Sequence, residues 1–234
     1  MDDANAYSPR WFQFFHAGIA ADRTEREAAF VAGACPPPDF ARVLDLCCGA
    51  GRHARALAAR GYEVTGVERD AGAVAAARAL AGGPTYVRAD VRDYLPAAGT
   101  FDAAVVLSQS FGYFDPAANA RLLTRWADAL RPGGRVVLDL WNPEFFLPRQ
   151  GQRTFDLPGG TVRETTRLDG GRLFSRLEYP GGGQDAFEFQ TFTGEEMTRL
   201  AASCGLTPVA ACTNFDAACP PSADDPRIQF VLAR

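Results

Sequence analysis

The chain has 234 residues, 47% of them hydrophobic, and is therefore long enough to bury a full core. Its formal net charge is −4, and its 24 basic residues are all arginines without a basic cluster, which argues against a nucleic-acid partner. No run of about 20 apolar residues is present, so we expect no membrane-spanning segment and a cytoplasmic protein.

The first 38 residues predict a helical cap in front of the main domain. An aromatic cluster opens this segment, and a helix-forming stretch follows in which Thr24 and Glu27 have the spacing of a capping box. The aromatic side chains either pack on the core or cover a bound ligand. The residues of this cluster are Tyr7, Trp11, Phe12, Phe14 and Phe15.

Residues 42–51, RVLDLCCGAG, predict a buried parallel strand that ends in a glycine turn. Strong helix formers follow from Arg52, with His53 as a polar residue in the first turn. The next strand ends at Glu68, 17 residues after Gly51, where an acidic side chain can accept from both hydroxyls of a ribose. The two features together predict a nucleoside site.

Strands and helices continue to alternate along the chain. The pattern predicts a helix over 71–80, strands over 86–89 and 101–108, a helix over 116–130 and a strand over 135–141. Such alternation is typical of an α/β fold with a doubly wound, mainly parallel sheet, in which ligands bind at the carboxyl ends of the strands.

Residues 142–192 break the alternation. Glycine-rich turns separate four short runs, which predicts an antiparallel β meander inserted after the fifth strand. Thr193 and Glu196 then have capping-box spacing before a helix, and the last two strands have no helix between them, which predicts an antiparallel hairpin at the sheet edge. We therefore expect a cap over 1–38, a main domain over 39–141 and 193–234, and an inserted β subdomain over 142–192.

The predicted strand ends carry a recognisable succession of residues: Asp45, Gly49, Gly51, Glu68, Asp90 and Ser108. This order resembles the class I S-adenosylmethionine-dependent methyltransferases, and the likeness runs from about residue 40 to the C-terminus. It is closest to bacterial small-molecule methyltransferases that carry LD-x-x-CG-x-G-x-H, then S-x-GY, then PGG. Some sugar-amine N-methyltransferases share this outline, including a small antiparallel sheet after the fifth strand.

The resemblance implies a Rossmann-like fold, S-adenosylmethionine as cofactor, and methyl transfer to a small-molecule acceptor by a monomer or homodimer. It also implies that the glycine turn passes beneath the methionine part, that Glu68 binds the ribose and that Asp90 accepts from the adenine amino group. Asp45 holds the loop or the cofactor ammonium, and backbone near Ser108 meets the methionine amino group. The cofactor-binding candidates are Asp45, Gly49, Ala50, Gly51, Glu68, Arg69, Asp90, Val91, Leu107 and Ser108.

The acceptor is expected near residues 108–114, SQSFGYF, where Phe111, Tyr113 and Phe114 are candidates for the pocket wall. A neutral amine needs no base, whereas a hydroxyl or carbon acid does, so oxygen, nitrogen and carbon all remain open as the methylated atom. The catalytic candidates are Tyr7, His16, Tyr113 and Asn142.

Two other functions remain open at this stage. Glu68 also suits an NAD-dependent oxidoreductase, although Ala54 replaces the third glycine of G-x-G-x-x-G and the chain has no lysine for proton transfer. The other alternative is a cofactor-binding protein without turnover. Six cysteines without C-x-x-C spacing and only two histidines predict no metal site.

Overall fold

The computed structural model describes residues 5, 7–16, 18–80 and 82–234. The side chain of His16, one of the catalytic candidates, lies outside the described part. The helices are α1 (Pro9–Trp11), α2 (Ala21–Ala34), α3 (Arg52–Ala58), α4 (Ala71–Ala79), α5 (Pro116–Ala129), α6 (Pro143–Phe146) and α7 (Gly194–Ser203), with a π-helical segment at Phe12–His16 and a 3₁₀ turn at Leu147–Arg149. None of the described helices is long and apolar enough to cross a membrane.

The strands form two separate sheets. In chain order they are β1 (Arg42–Leu46), β2 (Glu63–Glu68), β3 (Thr85–Arg88), β4 (Phe101–Val106), β5 (Leu130–Trp141), β6 (Gly151–Leu157), β7 (Gly160–Asp169), β8 (Arg172–Glu178), β9 (Gln184–Gln190), β10 (Thr207–Cys212) and β11 (Arg227–Ala233). The first sheet has the order β3-β2-β1-β4-β5-β11-β10, and the second has the order β6-β7-β8-β9.

β11 lies between β5 and β10 and is antiparallel to both, whereas the other strand pairs of the seven-stranded sheet are parallel. Every residue of the central strand β4 is buried, because helices cover both faces of the sheet. Alternate residues of β1 illustrate this arrangement: Leu44 joins the core beneath α5 and α7, whereas Val43 joins the core beneath α2 and α3. The predicted doubly wound sheet with a terminal hairpin is confirmed.

The inserted meander is also confirmed, with β6 to β9 paired antiparallel in sequence order. One face of this second sheet forms an aromatic core that includes Phe146, Phe187 and Phe189. Phe14 of the N-terminal segment is buried in the same core and stacks on Tyr179 with ring centroids 5.6 Å apart. The N-terminal aromatic residues therefore pack on the inserted sheet. The subdomain boundaries given above stay predictions.

The two predicted capping boxes have different outcomes. Thr193 and Glu196 form one, because the Glu196 backbone N–H donates to the Thr193 hydroxyl at 3.2 Å and the Thr193 N–H donates to the Glu196 carboxylate at 2.8 Å. The prediction for Thr24 and Glu27 is wrong, because α2 begins at Ala21 and both residues lie inside the helix. Both side chains instead accept hydrogen bonds from Arg52.

Gly112 connects the two sheets. It has φ +103°, and its carbonyl accepts a hydrogen bond from the Gln190 backbone N–H at 2.7 Å, at the end of β9. A Cβ atom at position 112 would lie 2.3 Å from the Gln190 carbonyl oxygen. The loop after β4 can therefore meet the inserted sheet at this distance only with glycine at position 112.

We expect Gly112→Ala to lower the free energy of unfolding by about 1–3 kcal/mol more than Gly182→Ala does. Gly182 has a similar φ of +97° in the same inserted subdomain, but a Cβ atom there would meet nothing within 4 Å. Comparing the free energies of unfolding of the two variants, measured by urea denaturation, separates the effect of the steric clash from that of left-handed strain. Equal losses in the two variants would contradict the close contact between the sheets.

Candidate active site

The glycine turn after β1 is shaped by close packing as well as by backbone conformation. Cys47, Gly49 and Gly51 all have left-handed φ values, of +58°, +55° and +77°. A Cβ atom on Gly51 would lie 2.2 Å from the Tyr86 hydroxyl oxygen. Glycine at position 51 is therefore required by the protein itself, because the Tyr86 ring from β3 passes against the turn.

Glu68, at the end of β2, is fixed beside this turn. Its carboxylate accepts the Gly49 backbone N–H at 3.0 Å through one oxygen and the Asp70 N–H at 2.9 Å through the other. Each carboxylate oxygen has a second acceptor position, so two sites remain for the hydroxyls of a ribose. The geometry fits the nucleoside role that was expected for Glu68.

Asp45 is a buried carboxyl group at the end of β1, only 1% exposed. Burial raises its pKa to about 7, although the nearby Arg52 charge and the Ala54 backbone N–H favour the ionised form. Among the described residues, its Oδ2 atom has no hydrogen-bond partner. An unpaired buried acceptor beneath the glycine turn fits a cationic ligand group such as the cofactor ammonium.

Asp90 differs from the expectation in one respect. Both of its carboxylate oxygens already accept hydrogen bonds from the Arg92 guanidinium, at 2.8 and 2.9 Å. These bonds lower the pKa of Asp90. The Arg92 guanidinium also lies 4.8 Å from the centroid of the Phe114 ring. An adenine amino group would therefore share this carboxylate with Arg92.

The turn after β4 has two consecutive residues, Ser108 and Gln109, with φ of +56° and +59°. Left-handed backbone costs roughly 1–2 kcal/mol for a residue other than glycine. Asp139 on β5 holds the turn: its carboxylate Oδ2 accepts the Ser108 N–H at 3.1 Å and the Gln109 side-chain amide at 2.6 Å. The Gln109 backbone N–H donates to the Asp139 carbonyl at 3.0 Å.

Five residues around this turn form a closed ring of hydrogen bonds, which we call the charge ring: Glu27, Arg52, Ser108, Asp139 and Arg227. Arg52 donates to the Glu27 carboxylate and, at 2.8 Å, to the Ser108 hydroxyl. Arg227 donates to Glu27 at 3.3 Å and to Asp139 at 3.1 Å. Sequence reasoning missed the ring, because its members come from five distant segments and no local spacing relates them.

His53 lies beside the charge ring as a buried neutral residue. Burial lowers its pKa to about 4, and its Nε2 atom lies 2.7 Å from the Glu27 carboxylate. Burial alone would raise the pKa of Glu27, but His53 and Arg52 lower it below its usual range. His53 is therefore a buried partner of Glu27 in the core.

Tyr7 and Tyr113, which are separated by 106 positions in the chain, share a hydrogen bond between their hydroxyl groups. Tyr7 packs on Phe187 at a centroid distance of 4.8 Å, and Tyr113 packs on Phe189 at 5.2 Å. Burial raises the pKa of Tyr7 to about 12 and that of Tyr113 well above its ordinary value. Both phenols are neutral at pH 7.

Charged and polar groups at or just after the ends of β1 and β2 influence the pKa values of the tyrosine pair. After burial and the bond to Tyr113, the groups that shift the pKa of Tyr7 are Cys47, Arg69 and Glu68. Arg69 and Cys47 also affect the pKa of Tyr113. Both tyrosines therefore lie within electrostatic range of Arg69, and Tyr7 also of Glu68, and their catalytic roles stay predictions.

Other candidates have structural contacts. Phe111 is 3% exposed and stacks on Phe192 in the core of the parallel sheet, so the expectation that it lines the acceptor pocket is wrong. The Asn142 amide donates to the Ser222 and Asp225 carbonyls, and its oxygen caps α6, so the geometry gives no support to an acceptor role.

The remaining cofactor-binding candidates lie along the same edge of the sheet. Leu107 is buried, Val91 packs on the core beneath α5, Ala50 is half-buried between the two glycines, and the Arg69 side chain is exposed. Their cofactor roles stay predictions.

The chain is similar to known methyltransferases. A family model described as a methyltransferase domain matches residues 43–134. A dTDP-3-amino-3,6-dideoxy-alpha-D-glucopyranose N,N-dimethyltransferase from Streptomyces fradiae is 29% identical over 213 residues, which cover 84% of this chain and 82% of that protein.

Solved structures are similar over nearly the whole chain. A sugar N-methyltransferase from Streptoalloteichus is 25% identical with a TM-score of 0.73, and the match covers 100% of this chain and 95% of that one. An amino pentose methyltransferase from Micromonospora echinaspora, solved with S-adenosylmethionine bound, is 23% identical with a TM-score of 0.69 and complete coverage of both chains. The second likeness, at its lower identity, establishes the fold.

We expect Glu68→Ala to weaken S-adenosylhomocysteine binding by about 1–3 kcal/mol, because the ribose hydroxyls lose their acceptor. The matched control is Glu63→Ala, which removes an exposed carboxylate at the other end of the same strand. Isothermal titration calorimetry measures both dissociation constants. Unchanged affinity in Glu68→Ala, or an equal loss in the control, would remove Glu68 from the site.

Asp45 gives a pH prediction. Its pKa is about 7 in the folded chain and about 4 in the unfolded chain, so its contribution to stability is complete below pH 4 and is lost as the pH rises through 7. We expect the free energy of unfolding of the wild type, relative to Asp45→Asn, to fall by up to about 4 kcal/mol between pH 4 and 7. A difference that does not vary with pH would contradict the raised pKa.

Proposed function

We propose that this chain, which belongs to the class I S-adenosylmethionine-dependent methyltransferases, transfers the methyl group to the amine of a small sugar-like acceptor. The chain is an enzyme that methylates a small molecule with S-adenosylmethionine. The amine and the sugar are the proposed part. Their support is the relative that dimethylates the amino group of a nucleotide-linked deoxysugar, which aligns over most of both chains.

When bound, S-adenosylmethionine supplies an electrophilic methyl group on a sulfonium. The residues that fit it are Glu68 for the ribose, the glycine turn for the methionine part, and the unpaired Asp45 oxygen for the ammonium. The protein has mainly to align the acceptor with the methyl group and to exclude water. Positioning of this kind lowers a barrier by roughly 7–11 kcal/mol in well-oriented systems.

The hydrogen-bonded pair of neutral phenols, Tyr7 and Tyr113, is a second observation that supports an amine, beside the similarity to the aminosugar methyltransferase. Because burial raises both pKa values, neither phenol serves as a base at neutral pH, and a hydroxyl acceptor would lack its proton acceptor in this pair. A neutral amine already has a free lone pair. The phenol oxygens can accept its N–H hydrogens and so orient that lone pair towards the methyl group.

The aromatic core of the inserted sheet completes the proposed acceptor pocket. Phe189 contacts both Tyr113 and Trp141, at centroid distances of 5.2 and 6.2 Å, and so connects the strand ends of the parallel sheet with the meander. Aromatic faces near a sulfonium or an ammonium favour its positive charge. A cytoplasmic location and a monomeric or homodimeric assembly, both expected from the sequence, are retained as parts of the proposal.

The acceptor test uses a nucleotide-linked 3-amino-3,6-dideoxyhexose beside its 3-hydroxy counterpart, each incubated with enzyme and S-adenosylmethionine. We expect mass spectrometry to detect methylation of the amino sugar only. Methylation of the hydroxyl compound would overturn the choice of nitrogen. Turnover of neither compound, nor of a panel of other small amines, would overturn the choice of acceptor class.

We expect Tyr113→Phe to lower kcat/KM for the acceptor about tenfold, because one hydroxyl of the pair is lost. The affinity for S-adenosylhomocysteine should change less than twofold. Tyr7→Phe and the double variant complete a mutant cycle, in which the double loss should not exceed the larger single loss if the hydroxyls act as a unit. A change confined to cofactor affinity would count against the acceptor role.

A further inference from the structure

The backbone at Ser108 and Gln109 adopts an unfavourable conformation, which contacts with other parts of the chain maintain. Neither residue is glycine, and both have the left-handed φ that L-residues disfavour. The turn lies beside the glycine turn, because β4 and β1 are parallel neighbours and the Cys47 thiol lies 3.9 Å from the Ser110 carbonyl oxygen. The chain therefore maintains a strained backbone at the edge of the predicted cofactor site.

Asp139 supplies the contacts that maintain the turn. It accepts three hydrogen bonds from Ser108 and Gln109, at distances of 2.6–3.1 Å, through its carboxylate and its carbonyl. The Asp139 side chain is fully buried, and its second oxygen accepts from the Gln229 amide at 2.7 Å. Both carboxylate oxygens of Asp139 already accept hydrogen bonds from the protein, so Asp139 acts through the residues that it holds.

The charge ring fixes Asp139 and Ser108 relative to each other. Arg227 bonds to both Asp139 and Glu27, and Arg52 bonds to both Glu27 and Ser108. Ser108 is therefore held at its backbone N–H by Asp139 and at its hydroxyl by Arg52. Breaking the ring at Asp139 leaves the Arg227 charge with Glu27 as its remaining partner in the ring.

We propose that Asp139 is a positioning residue that holds Ser108 and Gln109 in the left-handed turn and so presents their backbone to the methionine end of the cofactor. The inference rests on the proposed function only in taking S-adenosylmethionine as the ligand. It concerns cofactor binding and is independent of the acceptor. Loss of the clamp should weaken ligands that have the amino-acid end and spare those that lack it.

The test compares two ligands by calorimetry: S-adenosylhomocysteine, and 5′-methylthioadenosine, which lacks the amino-acid end. For Asp139→Asn we expect the dissociation constant of S-adenosylhomocysteine to rise about tenfold, the factor that corresponds to the strain of one left-handed residue. The constant for 5′-methylthioadenosine should change less than twofold. Equal losses for both ligands, or no loss for either, would overturn the proposal.

A second substitution tests the strain directly. Gln109→Gly in the Asp139→Asn background should restore S-adenosylhomocysteine affinity to within about threefold of wild type, because glycine adopts the left-handed turn without a clamp. The matched control is Asn214→Gly in the same background, since Asn214 has a φ of +56° in a different loop. Failure of the first rescue, or rescue by the control, would overturn the proposal.

If Asp139→Asn does not fold, Gln109→Glu provides the same test without removing the buried carboxylate. It puts a negative charge where the Gln109 amide now donates to Asp139 at 2.6 Å, whereas Gln109→Ala only removes that donor. We expect Gln109→Glu to lose at least fivefold more S-adenosylhomocysteine affinity than Gln109→Ala, with 5′-methylthioadenosine unaffected. Equal behaviour of the two variants would overturn the clamp. Failure to find an amine acceptor would leave all of these binding results unchanged.

Discussion

The buried charge ring is the constraint on which the rest of the structure depends. Its five members come from α2, the start of α3, the turn after β4, β5 and the start of β11. Glu27 and Asp139 are almost inaccessible, and a buried carboxylate is tolerated only with hydrogen-bonded partners. The cap helix, the parallel sheet and the terminal hairpin must therefore assemble together, because each supplies a charge that another segment needs. The position of β11 between β5 and β10 brings Arg227 to Asp139.

A second assembly of aromatic side chains lies between the N-terminal segment and the inserted sheet. Tyr7 packs on Phe187 of β9 and Phe14 on Tyr179 in the turn after β8, and Ser8 donates to the Asp185 carboxylate at 2.8 Å. The two assemblies meet at the loop after β4, where Ser108 belongs to the charge ring and Tyr113 belongs to the aromatic core. This loop joins cofactor and acceptor in the proposed mechanism, since its first residues face the glycine turn and its last residues face the meander.

Tyr7, Tyr113 and His53 favour positioning over proton transfer. Burial raises the pKa values of Tyr7 and Tyr113 and lowers that of His53, so all three are neutral at pH 7. Neutral groups suit the proposed displacement, in which a neutral amine attacks a sulfonium, because such a reaction needs alignment and a dry pocket. Within the charge ring, the charges of Arg52 and Arg227 are paired with the Glu27 carboxylate.

The sequence by itself determined the local features and their order. Hydrophobic periodicity and turn residues predicted the alternating strands and helices, the glycine turn, the four inserted strands and the capping box at Thr193, because each depends on neighbours within a few positions. The family resemblance also singled out Glu68, which the structure places beside the glycine turn because β1 and β2 are adjacent strands; its ribose role stays a prediction. Only the tertiary structure decided which distant side chains meet. Glu27 binds Arg52 and does not cap a helix, Phe111 is buried in the core, and Tyr7 bonds to Tyr113, which is 106 positions away. Strand order and sheet packing set these distances, and local spacing in the sequence does not encode them.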